Sequence, residues 1–195
     1  MKWIVITSPD FVPGEATFID LLFRCGMDLL HLRKPDASVE DCRRLLNEIP
    51  REWHNRIVTH DYFQLASEFP LYGVHLNRRN PVPPTGFRGS ISRSCHSLDE
   101  VMENKPQCNY VFLSPVFNSI SKEGYESAFS YAALKQAAGR GIIDNKVVAL
   151  GGISCDSLPQ VRAWGFGGAA FLGDIWQRKD SDDVEEYLKN IASCI

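Results

Sequence analysis

The sequence predicts one α/β domain, residues 1–195, folded as a compact (β/α)8 TIM barrel in which a loop replaces one crossover helix. Short apolar or β-branched runs recur eight times, segments with helical spacing lie between them, and uncommon polar residues follow the runs. Strands that alternate with helices form right-handed βαβ units and therefore a parallel sheet, and eight such strands can close into a barrel.

The predicted strands are short runs of mainly β-branched or apolar residues. In chain order they are Trp3–Thr7, Leu29–Leu32, Ile57–Thr59, Gly73–Leu76, Ser90–Ser94, Tyr110–Leu113, Val147–Leu150 and Gly168–Leu172. An open, doubly wound sheet is the alternative fold. Its usual marker, a G-x-G-x-x-G motif after the first strand, is missing from the sequence.

The predicted helices fill all crossovers but one and follow the last strand. They are Glu15–Cys25, Ser38–Ile49, Tyr62–Phe69, Leu98–Asn104, Tyr131–Ala138, Asp156–Trp164 and Val184–Ile191. Ser38 precedes Asp41 by three residues, which is the spacing of a capping box at a helix start. The segment 77–89 contains three prolines, so we expect a loop between the fourth and fifth strands.

Composition excludes several classes of protein. Hydrophobic residues make up 44% and charged residues 23%, with a net charge of −3 and no basic stripe for nucleic acid. No apolar run is long enough to span a membrane. The six cysteines are scattered without close pairs, and the start is too short an apolar run for a signal peptide, so we expect a cytoplasmic protein with reduced thiols.

Polar residues collect after the predicted strands, where barrel enzymes place their active sites. They include Arg33, Lys34, His60, Asp61, His75, Ser94, His96 and Ser114. Each has a structural alternative: arginine bridges carboxylates, histidine can be a satisfied core group, and Asp61 can cap a helix. Glycines in 149–154 and 165–174 predict phosphate binding through backbone N–H groups, with relief of crowding as the alternative.

Ordered motifs along nearly the whole chain resemble those of thiamine phosphate synthase and its relative thiazole tautomerase. The segment 31–34 (HLRK) resembles Q-x-R-x-K, 58–61 (VTHD) resembles V-N-D, and 72–76 (YGVHL) matches D-G-V-H-L. The segment 94–100 (SCHSLDE) matches S-x-H-s-x-x-E, 110–122 (YVFLSPVFNSISK) resembles Y-x-x-x-G-P-v-f-x-T-x-T-K, and 149–153 (ALGGI) matches A-x-G-G-I.

This resemblance implies a transferase of thiamine biosynthesis that joins hydroxymethylpyrimidine diphosphate to thiazole phosphate, releasing diphosphate with the help of Mg²⁺. It assigns Arg33 and Lys122 to the diphosphate, and Ser94 to the pyrimidine. It assigns further substrate contacts to His31, Lys34, His60, Ser119, Ser121, Gly152, Leu172 and Gly173, of which the last five would receive the thiazole phosphate.

The sequence also departs from the family pattern. Asp61 matches one magnesium carboxylate, but Asn80 stands at the second position, and His31 and His60 replace the motif's glutamine and asparagine. Pro35 stands at the motif's lysine position, and the lysine is displaced by one residue to Lys34. The tautomerase alternative needs no metal but uses a histidine where this chain has Pro115. A non-catalytic binder of thiazole phosphate or thiamine phosphate is a third reading, and a homo-oligomer stays open.

Overall fold

The computed structural model describes residues 1–118 and 129–195, whose strands form a closed barrel in sequence order. The strands are β1 (Lys2–Ile6), β2 (Leu29–Leu32), β3 (Ile57–Thr59), β4 (Gly73–Leu76), β5 (Ser90–Cys95), β6 (Tyr110–Leu113), β7 (Val147–Leu150) and β8 (Gly168–Phe171). All neighbouring strands are parallel, and β8 closes the barrel against β1 with Ala169 beside Trp3. The predicted barrel is confirmed, and β2, β3, β4, β6 and β7 have the predicted bounds.

Helices surround the barrel. Those of the described residues are α1 (Glu15–Arg24), α2 (Val39–Glu48), α3 (Leu65–Glu68), α4 (Leu98–Asn104), α5 (Tyr131–Gly139), α6 (Leu158–Ala163), α7 (Gly173–Gln177) and α8 (Val184–Cys194). Within the same residues, no helix combines the length and apolar character needed to cross a membrane.

Side-chain caps begin several of these helices. The Oγ of Ser38 accepts a hydrogen bond from Asp41 N at 3.2 Å, and the Asp41 carboxylate accepts from Ser38 N at 3.4 Å, which is the predicted capping box. Ser97 and Ser130 cap α4 and α5 in the same way, each accepting from the backbone N–H three residues later.

Strands β1, β5 and β8 and several helices differ from their predicted bounds by one to three residues. Two helices differ more. The helix after β3 is only α3, and Tyr62, the first residue of the predicted helix, has a left-handed φ of 53° that a helix cannot contain. The short α7 directly after β8 was not predicted, since five residues show no helical period. The loop at 77–89 is confirmed, with no helix between β4 and β5.

Alternation along the strands divides the buried side chains into two layers. Trp3 and Val5 of β1 pack outward against the helices, while Ile4 and Ile6 face the barrel interior. The interior cluster comprises Ile4, Ile6, Leu29, Tyr110, Phe112, Val148 and Ala170. Its members come from five strands, so the inward layer is a packed floor beneath the mouth rather than a pore.

Candidate active site

A cavity of about 800 Å³ opens at the carboxyl ends of the strands, which is the size of a small-molecule site. Six residues predicted for the site line it: Arg33, His60, Ser94, Gly152, Leu172 and Gly173. Apolar side chains of the interior cluster, among them Ile6, Phe112 and Ala170, form part of its wall. The barrel therefore brings residues from distant parts of the chain to one mouth.

Arg33 lies directly after β2, and its backbone is tied to the end of β1. Its N–H donates to Thr7 Oγ1 at 2.9 Å, and its carbonyl oxygen accepts from the same hydroxyl at 2.9 Å. Arg33 lines the cavity, and no carboxylate of the described residues pairs with its guanidinium. Arg33 is thus a cation positioned by its main chain and free to meet an anion.

Three buried histidines from β2, β4 and the end of β3 meet beside this arginine. His31 Nδ1 and His60 Nε2 are 2.9 Å apart, and His31 Nε2 lies 2.7 Å from the Tyr110 hydroxyl. The ring of His60 stacks on that of His75 with centroids 4.0 Å apart. His60 and His75 line the cavity, while His31 lies beneath them and is 0% exposed.

The environment keeps these imidazoles neutral. Burial, followed by the positive charges of Arg33 and Arg93, lowers the pKa of His75 to about 3. Burial and the neighbouring histidines lower the pKa of His31 and of His60 well below the ordinary value. The His75 ring bonds Ser92 Oγ and Ser94 Oγ at 2.9 Å each, which fixes the Ser94 hydroxyl at the cavity wall.

The same three histidines form a cluster with one ring nitrogen each within 4.8 Å of the others. Imidazole nitrogens suit zinc-class metals rather than Mg²⁺, which prefers oxygen ligands. His31 Nδ1 and His60 Nε2 already bond each other, so a metal held by these two atoms would have to displace that hydrogen bond.

Asp61, the expected magnesium carboxylate, is engaged by its own chain. Its Oδ1 accepts from Arg79 Nε at 3.2 Å and from Asn80 Nδ2 at 3.0 Å, and its Oδ2 accepts from Arg79 Nη2 at 3.0 Å. Asn80, at the second expected position, turns an N–H donor toward the carboxylate, where a cation ligand would need an acceptor. In this arrangement Asp61 and Asn80 do not fit a magnesium ion.

The structure does not bring Lys34 and His31 to the cavity lining. The buried Lys34 ammonium donates to Glu15 Oε1 at 2.7 Å, to Glu15 Oε2 at 2.8 Å and to the Asp10 carbonyl at 2.8 Å. These contacts engage all three of its N–H donors. The substrate contacts of Lys34 and His31 stay predictions, because the polar groups of both side chains already bond to other residues.

Glycines shape the opposite side of the mouth, after β7. Gly151 and Gly152 have φ of 93° and 65°, in the left-handed region that glycine favours. A Cβ on Gly152 would lie 2.3 Å from the Asn118 carbonyl oxygen, so the β7 loop packs closely on the loop after β6. Both roles considered for these glycines, tight packing and an N–H surface beside a ligand, are compatible with this geometry.

Lys122, Ser119 and Ser121 lie outside the described residues. Arg93 was missed as a site residue, although it lies beside Ser94 and lines the cavity. A charged residue inside a predicted strand was the signal that could have identified it. Arg79 also lines the cavity, and its contact with Asp61 depends on a loop conformation that no motif encodes.

Comparison with known proteins agrees with this geometry. A family model described as thiamine monophosphate synthase matches residues 4–175. The thiamine-phosphate synthase of Photorhabdus laumondii is 30% identical over 180 residues, covering 87% of this chain and 82% of that protein. The thiamine-phosphate synthase of Klebsiella pneumoniae is 28% identical, covering 95% and 97%.

Solved structures give the same result. The crystal structure of thiamine phosphate pyrophosphorylase from Bacteroides thetaiotaomicron has a TM-score of 0.90 and 42% identity, covering 100% of this chain and 97% of that one. A thiamine phosphate pyrophosphorylase from Pyrococcus furiosus, at 20% identity and a TM-score of 0.79, shares the fold. Sequence motifs, closed barrel and family match converge, and the chain belongs to the thiamine monophosphate synthase family.

Proposed function

We propose that this chain couples hydroxymethylpyrimidine diphosphate to thiazole phosphate, forming thiamine phosphate and releasing diphosphate. The observation that supports this reaction is one cavity with groups suited to anions on two sides. Arg33 stands free after β2, and the glycine loop after β7 stands with Leu172 and Gly173 after β8. An apolar floor that includes Phe112 joins the two sides, and a volume of about 800 Å³ has room for two heterocycles.

Chemically, the bond between the pyrimidine methylene carbon and the diphosphate oxygen breaks, and its electron pair leaves with the diphosphate. The thiazole nitrogen then donates its lone pair to that carbon and forms the new C–N bond. Negative charge grows on the leaving group, so a fixed guanidinium such as that of Arg33 stabilises the transition state. The Ser94 hydroxyl, oriented by His75, is placed to contact the pyrimidine.

Phosphate of the thiazole substrate is assigned to the loops after β7 and β8. In the described residues, the N–H groups of Gly152 and Ile153 donate no backbone hydrogen bond, so both are available to a ligand. Barrels commonly bind phosphate at these loops and at a short extra helix such as α7. The resemblance still assigns Ser119 and Ser121 to the thiazole phosphate and Lys122 to the diphosphate.

The test is a steady-state coupling assay that measures thiamine phosphate formed from both substrates. Because the Arg33 fold contacts are made by its backbone, Arg33→Ala should fold normally. We expect it to lower kcat/KM by roughly ten- to hundred-fold, the value of one charge-assisted hydrogen bond of about 1.5–3 kcal/mol. Arg44→Ala, which removes an exposed arginine outside the cavity, is the control. Normal coupling by Arg33→Ala would contradict the assignment.

Thiazole tautomerase is the second candidate, and the two imidazoles that line the cavity, those of His60 and His75, favour it. Imidazole nitrogens at this wall can exchange a proton with a bound ring. If the wild type shows no coupling but isomerises the thiazole carboxylate phosphate, this candidate replaces the first. Stoichiometric binding of thiazole phosphate or thiamine phosphate without either reaction would instead identify a binding protein.

A further inference from the structure

We propose that the Arg79 guanidinium, rather than a magnesium ion, supplies the positive charge beside the leaving diphosphate, so that coupling needs no divalent cation. This inference rests on the proposed coupling reaction and deepens it. It begins from the contact between Arg79 and Asp61, which uses the carboxylate that a metal would need.

The loop after β4 is built to hold Arg79 in place. Asn77 Nδ2 donates to the His60 carbonyl at 2.6 Å, which ties this loop to the end of β3. Asn77 Oδ1 accepts from the backbone N–H groups of Arg79 and Asn80 at 2.9 Å each. This side-chain turn fixes the backbone from which the Arg79 side chain reaches Asp61.

Arg79 meets Asp61 through two of its nitrogens and keeps a third. Nε and Nη2 face the carboxylate, while no contact within the described residues engages Nη1. The Asp61 side chain is 16% exposed and does not line the cavity, whereas Arg79 is 59% exposed and does. Asp61 therefore positions the guanidinium from behind, and the remaining N–H donors are free for an anion.

The charges around the cavity also favour a diphosphate over a divalent cation. Arg33, Arg78, Arg79 and Arg93 line it from the β2 to β5 side. Three carboxylates also line it, and those of Glu100 and Asp174 already hold protein groups, His96 N and the Tyr187 hydroxyl. A divalent cation at Asp61 would have to displace Arg79 and then sit among like charges, while a diphosphate finds several guanidinium donors.

The first experiment measures coupling by metal-stripped wild type in excess EDTA and again in millimolar Mg²⁺. We expect comparable turnover in both conditions. Turnover that appears only with Mg²⁺ would overturn this inference while leaving the coupling reaction standing. Absence of turnover in both conditions would contradict the proposed function, and the inference is then decided by the binding experiment alone.

The second experiment titrates inorganic diphosphate calorimetrically in EDTA, with thermal melts of every variant. Arg79→Ala should weaken binding by roughly ten- to hundred-fold, since it removes one charge-assisted contact. Arg79→Lys should recover little of the lost affinity. An ammonium lacks the planar fork of donors with which a guanidinium can contact Asp61 and an anion at the same time. Arg44→Ala removes a similarly exposed arginine, also paired with an aspartate but outside the cavity, and should bind as wild type. Diphosphate binding that requires Mg²⁺, or that is equal in Arg79→Ala and wild type, would overturn the proposal.

Discussion

Lys34 and Glu15 form a buried ion pair that links the end of β2 to the start of α1. Their side chains are 0% and 2% exposed, and the ammonium contacts both carboxylate oxygens. Removing one partner of such a pair leaves an uncompensated buried charge, whereas removing both leaves an apolar site. Lys34, which stands one residue before the motif's lysine position, is therefore held by a carboxylate from another element.

We expect Lys34→Met to cost about 3–5 kcal/mol in the free energy of unfolding, measured by denaturant titration, because Glu15 is left buried and unpaired. The double variant Glu15→Leu/Lys34→Met should recover most of that loss. Coupling measured on the double variant then separates the roles. Retained activity identifies a structural lysine, and lost activity at restored stability would support the predicted substrate contact.

At the scale of elements, the loop after β7 is coupled to the loop after β6 by contact rather than by sequence proximity. Phe117 N donates to the Gly151 carbonyl at 3.0 Å, and Val116 N donates to the Leu150 carbonyl at 2.9 Å. Gly152 fits against Phe117 and Asn118 only because it has no side chain. One side of the mouth is therefore a packed pair of loops.

Gly152→Ala should destabilise the fold as well as weaken phosphate binding. Alanine at a φ of 65° costs about 1–2 kcal/mol, and the added methyl group must also push the Asn118 carbonyl away. A thermal melt of the variant measures the first effect. Gly173→Ala is the matched variant, because Gly173 has no left-handed φ and begins α7. Loss of thiazole-phosphate affinity in Gly173→Ala without a lower melting temperature would identify a binding role there.

At the scale of the whole molecule, the three interior histidines make stability depend on pH. Their folded-state pKa values lie below the ordinary 6.5, with that of His75 at about 3, so the unfolded chain binds protons that the folded barrel does not. This contribution to stability is complete above pH 6.5 and is lost as the pH falls toward the folded pKa values.

We expect the free energy of unfolding to decrease between pH 6.5 and pH 4 by up to about 1.4 kcal/mol per pH unit for each of the three groups. Denaturant titrations across this range measure the slope. His60→Asn removes one titrating group and should reduce the slope. A slope unchanged by the substitution would show that other groups govern the acid sensitivity.

Features of the fold that depend on local sequence could be predicted. The strands β2, β3 and β4 were predicted at their correct bounds, because local runs of buried side chains define them. A closed barrel places the carboxyl ends of all its strands at one mouth. The sequence could therefore predict that Arg33, Ser94 and Gly152 lie around the same cavity.

Features decided by contacts between loops could not be predicted. The pairing of Asp61 with Arg79 depends on how Asn77 folds the β4 loop onto His60, which no local pattern encodes. Lys34 forms an ion pair with Glu15 instead of being free for a substrate, and this pairing depends on where α1 begins relative to β2. Contacts of Asp61 and Lys34 are therefore set by partners on other elements, which the motifs do not include.

The interior layer has a further consequence for what the barrel can accept. Ala170 is the inward residue at the top of β8 and lines the cavity, whereas Phe112 of β6 fills the same layer with a ring. Each larger side chain at position 170 would reduce the volume of the cavity, since a closed barrel cannot widen without breaking its strand pairing. One substitution at position 170 can therefore change the volume of the cavity without any change to the charged groups at the mouth.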